Sequence, residues 1–159
     1  MKEIELSVNK ANVYTEVAKT TAYTGLKMQD DKEAYSRIFA TDEDREMLER
    51  FWVEACNGAT ELLKQFIVTV SDQPMSHGVE LDKNYVVRLE LSSSYDESLN
   101  GSIETSLFSY FVAVIVAKWY HFCNKGDAGS YEHDAQRALD DVRSKIYYRK
   151  KPRRVAPKD

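Results

Sequence analysis

Histidine is the first residue type to test for chemistry, because imidazole serves both as a general base and as a metal ligand. His77 lies in a polar stretch, whereas His121 and His133 fall in segments with helical patterning. His121 could act as a base oriented by Glu132 or Asp134, but nearness in sequence does not establish such a pair. Solvated or hydrogen-bonded histidines are far commoner, so the sequence predicts neither a catalytic nor a metal-binding role.

The remaining chemistry-bearing residue types form no motif. Cys56 and Cys123 lie in apolar helical contexts, where free cysteine behaves as a small buried hydrophobe, and this favours a reducing, intracellular folding compartment. No phosphate-binding loop, nucleophile elbow, HExxH or CxxC motif is present. We therefore predict a protein that is not an enzyme and uses no cofactor, although an enzyme whose chemistry lacks a motif stays an alternative. The glycines are scattered singly, at positions 25, 58, 78, 101, 126 and 129.

Charge is concentrated at the C-terminal end. Seven basic residues and one acid give the last fifteen residues a charge of +6, which leaves −10 for residues 1–144 of a chain of net charge −4. An acidic body with a basic end is typical of an interaction tail. Because Pro152 and Pro157 break any helix, we expect residues 149–158 to be extended and loosely held until they meet a partner.

This tail has three interpretations. It could bind nucleic-acid phosphates, dock on an acidic protein surface, or be a solvated end. The acidic body argues against a large DNA-binding face. Two tyrosines before the tail are either docking anchors or the last part of the core, since tyrosine suits surfaces that are half apolar and half wet. The candidate partner-binding residues are Tyr147, Tyr148, Arg149, Lys150, Lys151, Arg153 and Arg154.

The element that must organise the rest is the apolar run from Ile103 to Cys123. It is too long for a strand, and it is apolar on nearly all sides, which is typical of a buried helix. The uncharged interval between Glu104 and Lys118 is thirteen residues, too short for a membrane span, and the N-terminus has no apolar stretch typical of a signal peptide. We predict a central core helix, with Phe122 among its inward-facing residues, and no membrane contact.

Alternating apolar residues predict a strand near residues 4–8, followed by a helix over 13–23 that Gly25 ends. A short helical piece around Tyr35 to Phe39 comes next. Thr41 then opens the clearest helix of the chain, because it supplies a capping hydroxyl and is followed by three acids in the first turn. This helix should end around residues 64–66 and pack on the central one.

Residues 66–70 read either as a strand or as the last turn of that helix, whereas residues 85–91 alternate as a strand does. The two could pair as a hairpin with the polar loop 72–84 between them. Residues 124–129 have the composition of a turn, and a final amphipathic helix should run to about Tyr148. The predicted fold class is a mainly α, small helical domain around a buried central helix (about 103–123), with a short β-hairpin or small sheet (about 66–71 and 85–91). Residues 1–148 form the single domain, and residues 149–159 form the tail.

Three segments carry a resemblance to a known family. The sequences TDEDREMLERFWVEACNGATELL, AVIVAKWYHFCN and YYRKKP, within residues 38–154, resemble the head–tail connector, or adaptor, proteins of tailed bacteriophages. The stretch VYTEVAKTTAYTGLKM is similar to neck ring proteins of crAss-like phages. Residues 66–91 depart from the pattern, because their strand content and long loop exceed those of the simplest connector. This departure leaves open a tail-completion or terminator ring protein.

The resemblance implies a structural virion protein of the phage neck that links the capsid to the tail. It implies a homo-oligomeric ring, a dodecamer, which docks on the portal protein through its C-terminal segment and contacts other neck or tail proteins. Genome DNA would only pass through the channel, and the protein would be made in the host bacterial cytoplasm. The alternative from another class is a small nucleic-acid-binding regulatory protein that uses the basic tail.

Overall fold

A computed structural model describes residues 1–28, 30–71 and 84–156. Its sheet has three antiparallel strands, β1 (Lys2–Val8), β2 (Ile67–Ser71) and β3 (Tyr85–Leu91), in the order β1-β3-β2. The predicted hairpin partners β2 and β3 do pair, with an irregularity between Ile67 and Thr69. The sequence had not indicated that β1 would pair along the other side of β3, from Lys2 opposite Leu91 to Val8 opposite Tyr85.

Helix α4 (Asn100–Cys123) is the predicted central helix. Its buried positions occur on several sides, because it packs against helices on both flanks and against β1. One inward-facing assignment is wrong: Phe122 is 62% exposed at the last turn, where its ring stacks on Phe51. The helix is long and apolar enough to cross a membrane by length and composition, a criterion that buried core helices also meet. Its nine buried residues are Ile103, Leu107, Tyr110, Phe111, Ala113, Ile115, Val116, Ala117 and Tyr120.

Helix α1 (Lys10–Lys27) begins at the Asn9 cap, whose side chain accepts a hydrogen bond from the Asn12 amide at 2.9 Å. The predicted stop at Gly25 is wrong, since the helix continues past it and the glycine is buried. A Cβ at Gly25 would lie 2.6 Å from the Cα of Tyr35, at the start of helix α2 (Ala34–Ile38). This glycine is therefore needed for close packing of two helices and not for a turn.

Helix α3 (Arg45–Leu63) follows the predicted capping signal. Thr41 and Asp44 form the reciprocal capping box, in which the Thr41 amide donates to Asp44 Oδ2 at 2.8 Å. One 3₁₀ turn (Asp42–Asp44) precedes the α-helix, and the helix ends at Leu63, slightly before the predicted boundary. Residues 66–70 then belong mainly to β2, which decides between the two interpretations left open by the sequence.

Helix α5 (Lys125–Tyr147) is separated from α4 by the single residue Asn124, so the turn predicted at 124–129 is wrong. The Asn124 side chain donates to Asp127 Oδ2 at 2.8 Å in the first turn, and Ala128 is buried against the core. Helices α4 and α5 thus form a long antiparallel pair. The predicted fold class is confirmed: the domain is mainly α, is built around a buried helix and carries a small sheet.

Candidate docking surface

The basic C-terminal segment is attached to the body at its base. Arg149 forms an isolated antiparallel bridge with Tyr95, and the Lys150 amide donates to the Ser94 carbonyl at 3.3 Å. The Lys150 ammonium lies 3.3 Å from Asp96 Oδ1. We call residues 94–96 the seat. The first two basic residues of the tail therefore contact the folded body, where the sequence had predicted a loosely held segment.

Arg149 also caps the C-terminal end of α5. The Arg149 guanidinium donates to the Ile146 carbonyl at 2.8 Å and to the Tyr148 carbonyl at 3.1 Å. The last carbonyls of a helix have no intrahelical partner and carry partial negative charge, so a cation at this place is stabilising. Arg149 thus has a structural task in the isolated chain.

The seat is held by the rest of the fold. Tyr95 is fully buried, its hydroxyl donates to Asn100 Oδ1 at 2.8 Å, and its carbonyl accepts from the Lys2 ammonium at 2.9 Å. Asp96 caps the 3₁₀ turn before α4 by accepting from the Ser98 amide at 3.1 Å and the Ser98 hydroxyl at 2.7 Å. These Ser98 bonds, with the nearby Lys150, hold the pKa of Asp96 below its usual range. The carboxylate therefore stays charged through the neutral range.

The two tyrosines before the tail have different environments. The Tyr147 ring packs edge-on against Phe66 with centroids 5.5 Å apart, and its hydroxyl accepts from Gln65 Nε2 at 2.8 Å. Tyr147 is nevertheless 47% exposed, and Tyr148 is 51% exposed. Tyr147 combines both sequence interpretations, because one side of its ring completes the packing at the end of α5 while the other side stays available.

Beyond the seat, residues 151–156 have no regular structure and are exposed. Lys151, Arg153 and Arg154 lie in this stretch, which we call the free segment. Pro157 and Lys158 lie outside the described residues, as do His77 and almost all of the 72–84 loop. Of the candidate residues, Tyr147, Arg149 and Lys150 contact the folded body, Tyr148 is half-exposed at the end of α5, and three cations lie in the exposed free segment.

A groove of about 570 Å³ lies between the last turns of α3 and α5, beside Tyr147. It meets a second groove of about 350 Å³ at Gln136 and Leu139. Both grooves are open to solvent. The Tyr110 hydroxyl is accommodated beside the first groove because Gly58 has no side chain. The residues lining the first groove are Gly58, Glu61, Leu62, Lys64, Gln65, Phe66, Gln136, Leu139, Arg143, Ile146 and Tyr147.

The histidine pair suggested by the sequence lies in the second groove. His121 Nε2 contacts Glu132 Oε1, so Glu132 and not Asp134 is the carboxylate beside it. Both side chains are more than half exposed, and in the same groove Lys118 is paired with Glu54 at 2.5 Å. Within residues 1–28, 30–71 and 84–156, no group of three or more histidine, cysteine, aspartate or glutamate residues could hold a metal ion. The pair links the end of α4 to α5 at the surface.

The surroundings of the two cysteines lower the reactivity of their thiols. Burial raises the pKa of Cys56 to about 12 and that of Cys123 to about 11. Since the thiolate is the reactive form, neither is activated as a nucleophile. Cys56 is buried as the sequence predicted, whereas Cys123 is only partly buried.

The acidic residues around the start of α3 differ in exposure. Glu49 turns inward and pairs with the buried Lys10 ammonium at 2.5 Å. The same ammonium lies 5.5 Å from the Tyr14 ring centroid and 5.9 Å from that of Trp52. Glu49 is therefore part of the internal structure, whereas Asp42 and Glu43 are exposed.

Comparison of the chain with protein-family models, with curated proteins and with solved structures finds no match. The geometry itself defines a class of surface: a short basic segment that is fixed at residues 149 and 150, exposed beyond them, and preceded by two half-exposed tyrosines. Asp96 and the seat were missed by the sequence analysis. The available signals were the lone aromatic Tyr95 in a polar stretch and the Asp96-x-Ser98 capping pattern.

Proposed function

We propose that this protein is a structural subunit of the neck of a tailed bacteriophage, in a homo-oligomeric head–tail connector ring that docks on the portal protein. The observation that carries the proposal is the free segment, which leaves the end of α5 from a fixed point and is exposed. The resemblance of residues 38–154 to connector proteins supplies the biological setting. In this setting the subunit would lie in the virion, between capsid and tail.

The chemistry of the free segment suits an acidic protein partner. Arginine pairs with carboxylates through two parallel hydrogen bonds, and such charge-assisted bonds are stronger than neutral ones. Residues 1–144 carry a net charge of −10, which disfavours nucleic-acid phosphate as the partner of the body. A partner that presents carboxylates near the tail exit would gain attraction from the free segment alone.

The exposed tyrosines and the first groove suit subunit contacts in a closed ring. A ring needs two different surfaces on each subunit, because each contact is heterologous and closes by rotation. The half-exposed Tyr147 and Tyr148 and the groove between α3 and α5 lie at one end of the α4–α5 pair. Tyrosine is enriched at protein interfaces, since it adds apolar area and a polar group together.

The test is incorporation into a neck assembly. Purified portal rings encoded by the same genome are mixed with the chain, and binding is measured by co-sedimentation and electron microscopy. The full chain should bind as a ring, whereas a chain that ends at Lys150 should fold equally well and fail to bind. Ending at Lys150 is preferable to deletion from Arg149, because the shorter deletion leaves the contacts of the seat intact.

A matched control variant separates the effect of the tail cations from the effect of net charge. The variant Lys19→Gln/Lys32→Gln/Lys125→Gln removes three exposed cations from the body, the same charge change as in Lys151→Gln/Arg153→Gln/Arg154→Gln. Only the tail variant should lose portal binding. Normal binding by both would remove the proposal that the tail docks, and no binding by the full chain would remove the connector assignment.

The alternatives give different results in the same experiments. A tail-completion or terminator ring would bind tail proteins and not the portal. A nucleic-acid-binding regulator would bind duplex DNA with an affinity that falls steeply with salt, because each neutralised phosphate releases counterions. A flat or undetectable DNA signal at low salt would exclude the regulator.

A further inference from the structure

We propose that Asp96 is a positioning residue for partner binding: the seat fixes the exit of the tail, so that Lys151, Arg153 and Arg154, the cations of residues 151–156, present their charge to an acidic protein surface. The acidic protein partner rests on the proposed function, whereas the anchoring of residues 149 and 150 is seen in the chain itself. The inference assigns a task to residues 94–96 and divides the basic cluster into an anchoring part and a contacting part.

The anchoring part is defined by independent contacts. Arg149 has its bridge to Tyr95 and its bonds to the end of α5, and Lys150 has the Ser94 carbonyl and the Asp96 carboxylate. The side chain of Asp96 is only 14% exposed, whereas that of Lys150 is 67% exposed. Asp96 therefore holds the lysine from the body side and is poorly placed to meet a partner itself.

The advantage of the seat is preorganisation. A fully free tail loses conformational freedom along its whole length when it binds, whereas here residues 149 and 150 are already ordered. The free segment then starts from one point and in one direction. Its cations therefore sample a smaller volume before they bind the partner. Loss of the seat should weaken binding without removing any cation from the free segment.

Asp96→Asn isolates the positioning effect. Asparagine caps helical turns about as well as aspartate, so the Ser98 bonds are retained while the charge that holds Lys150 is removed. Lys150→Met removes the same ion pair from the other side. If both act through one contact, the double variant should behave like either single one.

The first readout is limited trypsin digestion followed by mass spectrometry. In the wild-type chain, cleavage should occur after Arg153 and Arg154, and the bonds after Arg149 and Lys150 should be protected. Asp96→Asn should open both protected bonds, and Lys150→Met should open the bond after Arg149. Cleavage after Lys151 is not informative because Pro152 follows it.

The second readout is fluorescence anisotropy with a labelled oligoglutamate peptide. Asp96→Asn and Lys150→Met should each weaken binding about 3- to 10-fold through lost preorganisation. Arg153→Gln/Arg154→Gln should weaken it at least about tenfold through lost charge-assisted bonds and leave the cleavage pattern of the base unchanged. The body variant Lys19→Gln/Lys32→Gln/Lys125→Gln is the control for net charge.

Several results would overturn the inference. Wild-type affinity in Asp96→Asn would deny a positioning role, and tighter binding would mean that the seat competes with the partner. An equal loss in the body variant would reduce the effect to net charge. Tighter binding of duplex DNA than of oligoglutamate, with the same mutational pattern, would replace the acidic protein partner by nucleic acid. A chain with the expected digestion and peptide binding that fails to bind portal rings would remove only the connector assignment.

Discussion

Replacing Gly25 by alanine tests the packing of α1 on α2. The added Cβ would lie 2.6 Å from the Tyr35 Cα and 3.3 Å from the Ala34 carbonyl oxygen. Because carbon atoms meet favourably at about 3.5–4.0 Å, the gap is too small by about 1 Å. The obstacle is backbone, so no change of side-chain rotamer relieves it and α2 must move.

Two opposing terms set the magnitude for Gly25→Ala. Alanine is favoured over glycine inside a helix by about 1 kcal/mol. Overpacking costs about 1–3 kcal/mol, and a backbone obstacle favours the upper end of that range. We expect a net loss of about 1–2 kcal/mol in the free energy of unfolding, which lowers Tm by about 2–8 °C for a chain of this length.

The assay for Gly25→Ala is thermal unfolding followed by circular dichroism. Displacement of α2 should also break the bond in which the Trp119 indole donates to the Ile38 carbonyl at 2.6 Å, and near-ultraviolet dichroism should report this. Gly129→Ala is the control, because a Cβ there meets no atom within 4 Å in a helix. That control should raise stability by about 0.5–1 kcal/mol. A Gly25→Ala variant that melts at or above wild type would refute the packing argument.

Three further predictions concern other parts of the core and surface. Gly58→Ala should destabilise the fold, because its Cβ meets the Tyr110 hydroxyl. Adding Tyr110→Phe should restore part of the lost stability. Additive losses in a double-mutant cycle measured by urea unfolding would contradict this prediction. Cys56, whose pKa burial raises to about 12, should resist iodoacetamide at pH 8 until the chain unfolds, as peptide mapping would show; rapid alkylation of the native chain would refute its burial. Lys145 and then the Ser106 hydroxyl hold the pKa of Asp141 below its usual value, so stability from this group is present above the unfolded pKa and is lost as pH falls through the lower folded pKa. Urea midpoints measured from pH 5 downwards should fall less steeply in Asp141→Asn, and an identical slope would contradict the assignment.

The spacing of apolar residues correctly predicted the strands that are buried on one face and the helix that is buried on most sides. Strand β1 buries Ile4, Leu6 and Val8, β3 buries its odd-numbered apolar residues, and α4 is apolar on most sides, so each pattern follows from the surroundings. The presence of glycine was a less reliable signal for helix ends and turns. Gly25 allows two helices to approach closely, and Gly126 lies in the first turn of a helix that is stabilised by packing on α4.

Long-range pairing could not be predicted from the chain. Strands β1 and β3 are separated by more than seventy residues, and their alternation fits several partners equally well. The same holds for the candidate site. The charge of residues 149–154 is readable from composition, whereas the contact of Lys150 with Asp96 depends on where the end of α5 lies relative to the segment before α4.

That placement follows from the lengths of α4 and α5. The helices contain 24 and 23 residues, so both are about 35 Å long, and a single residue, Asn124, separates them. An antiparallel pair of equal length brings the end of the second helix back beside the start of the first. Tyr147 therefore lies level with the beginning of α4, and the residues just after it meet the residues just before Asn100. The apolar run that fixes the core also fixes, through the length of its partner helix, the point at which the basic segment leaves the body.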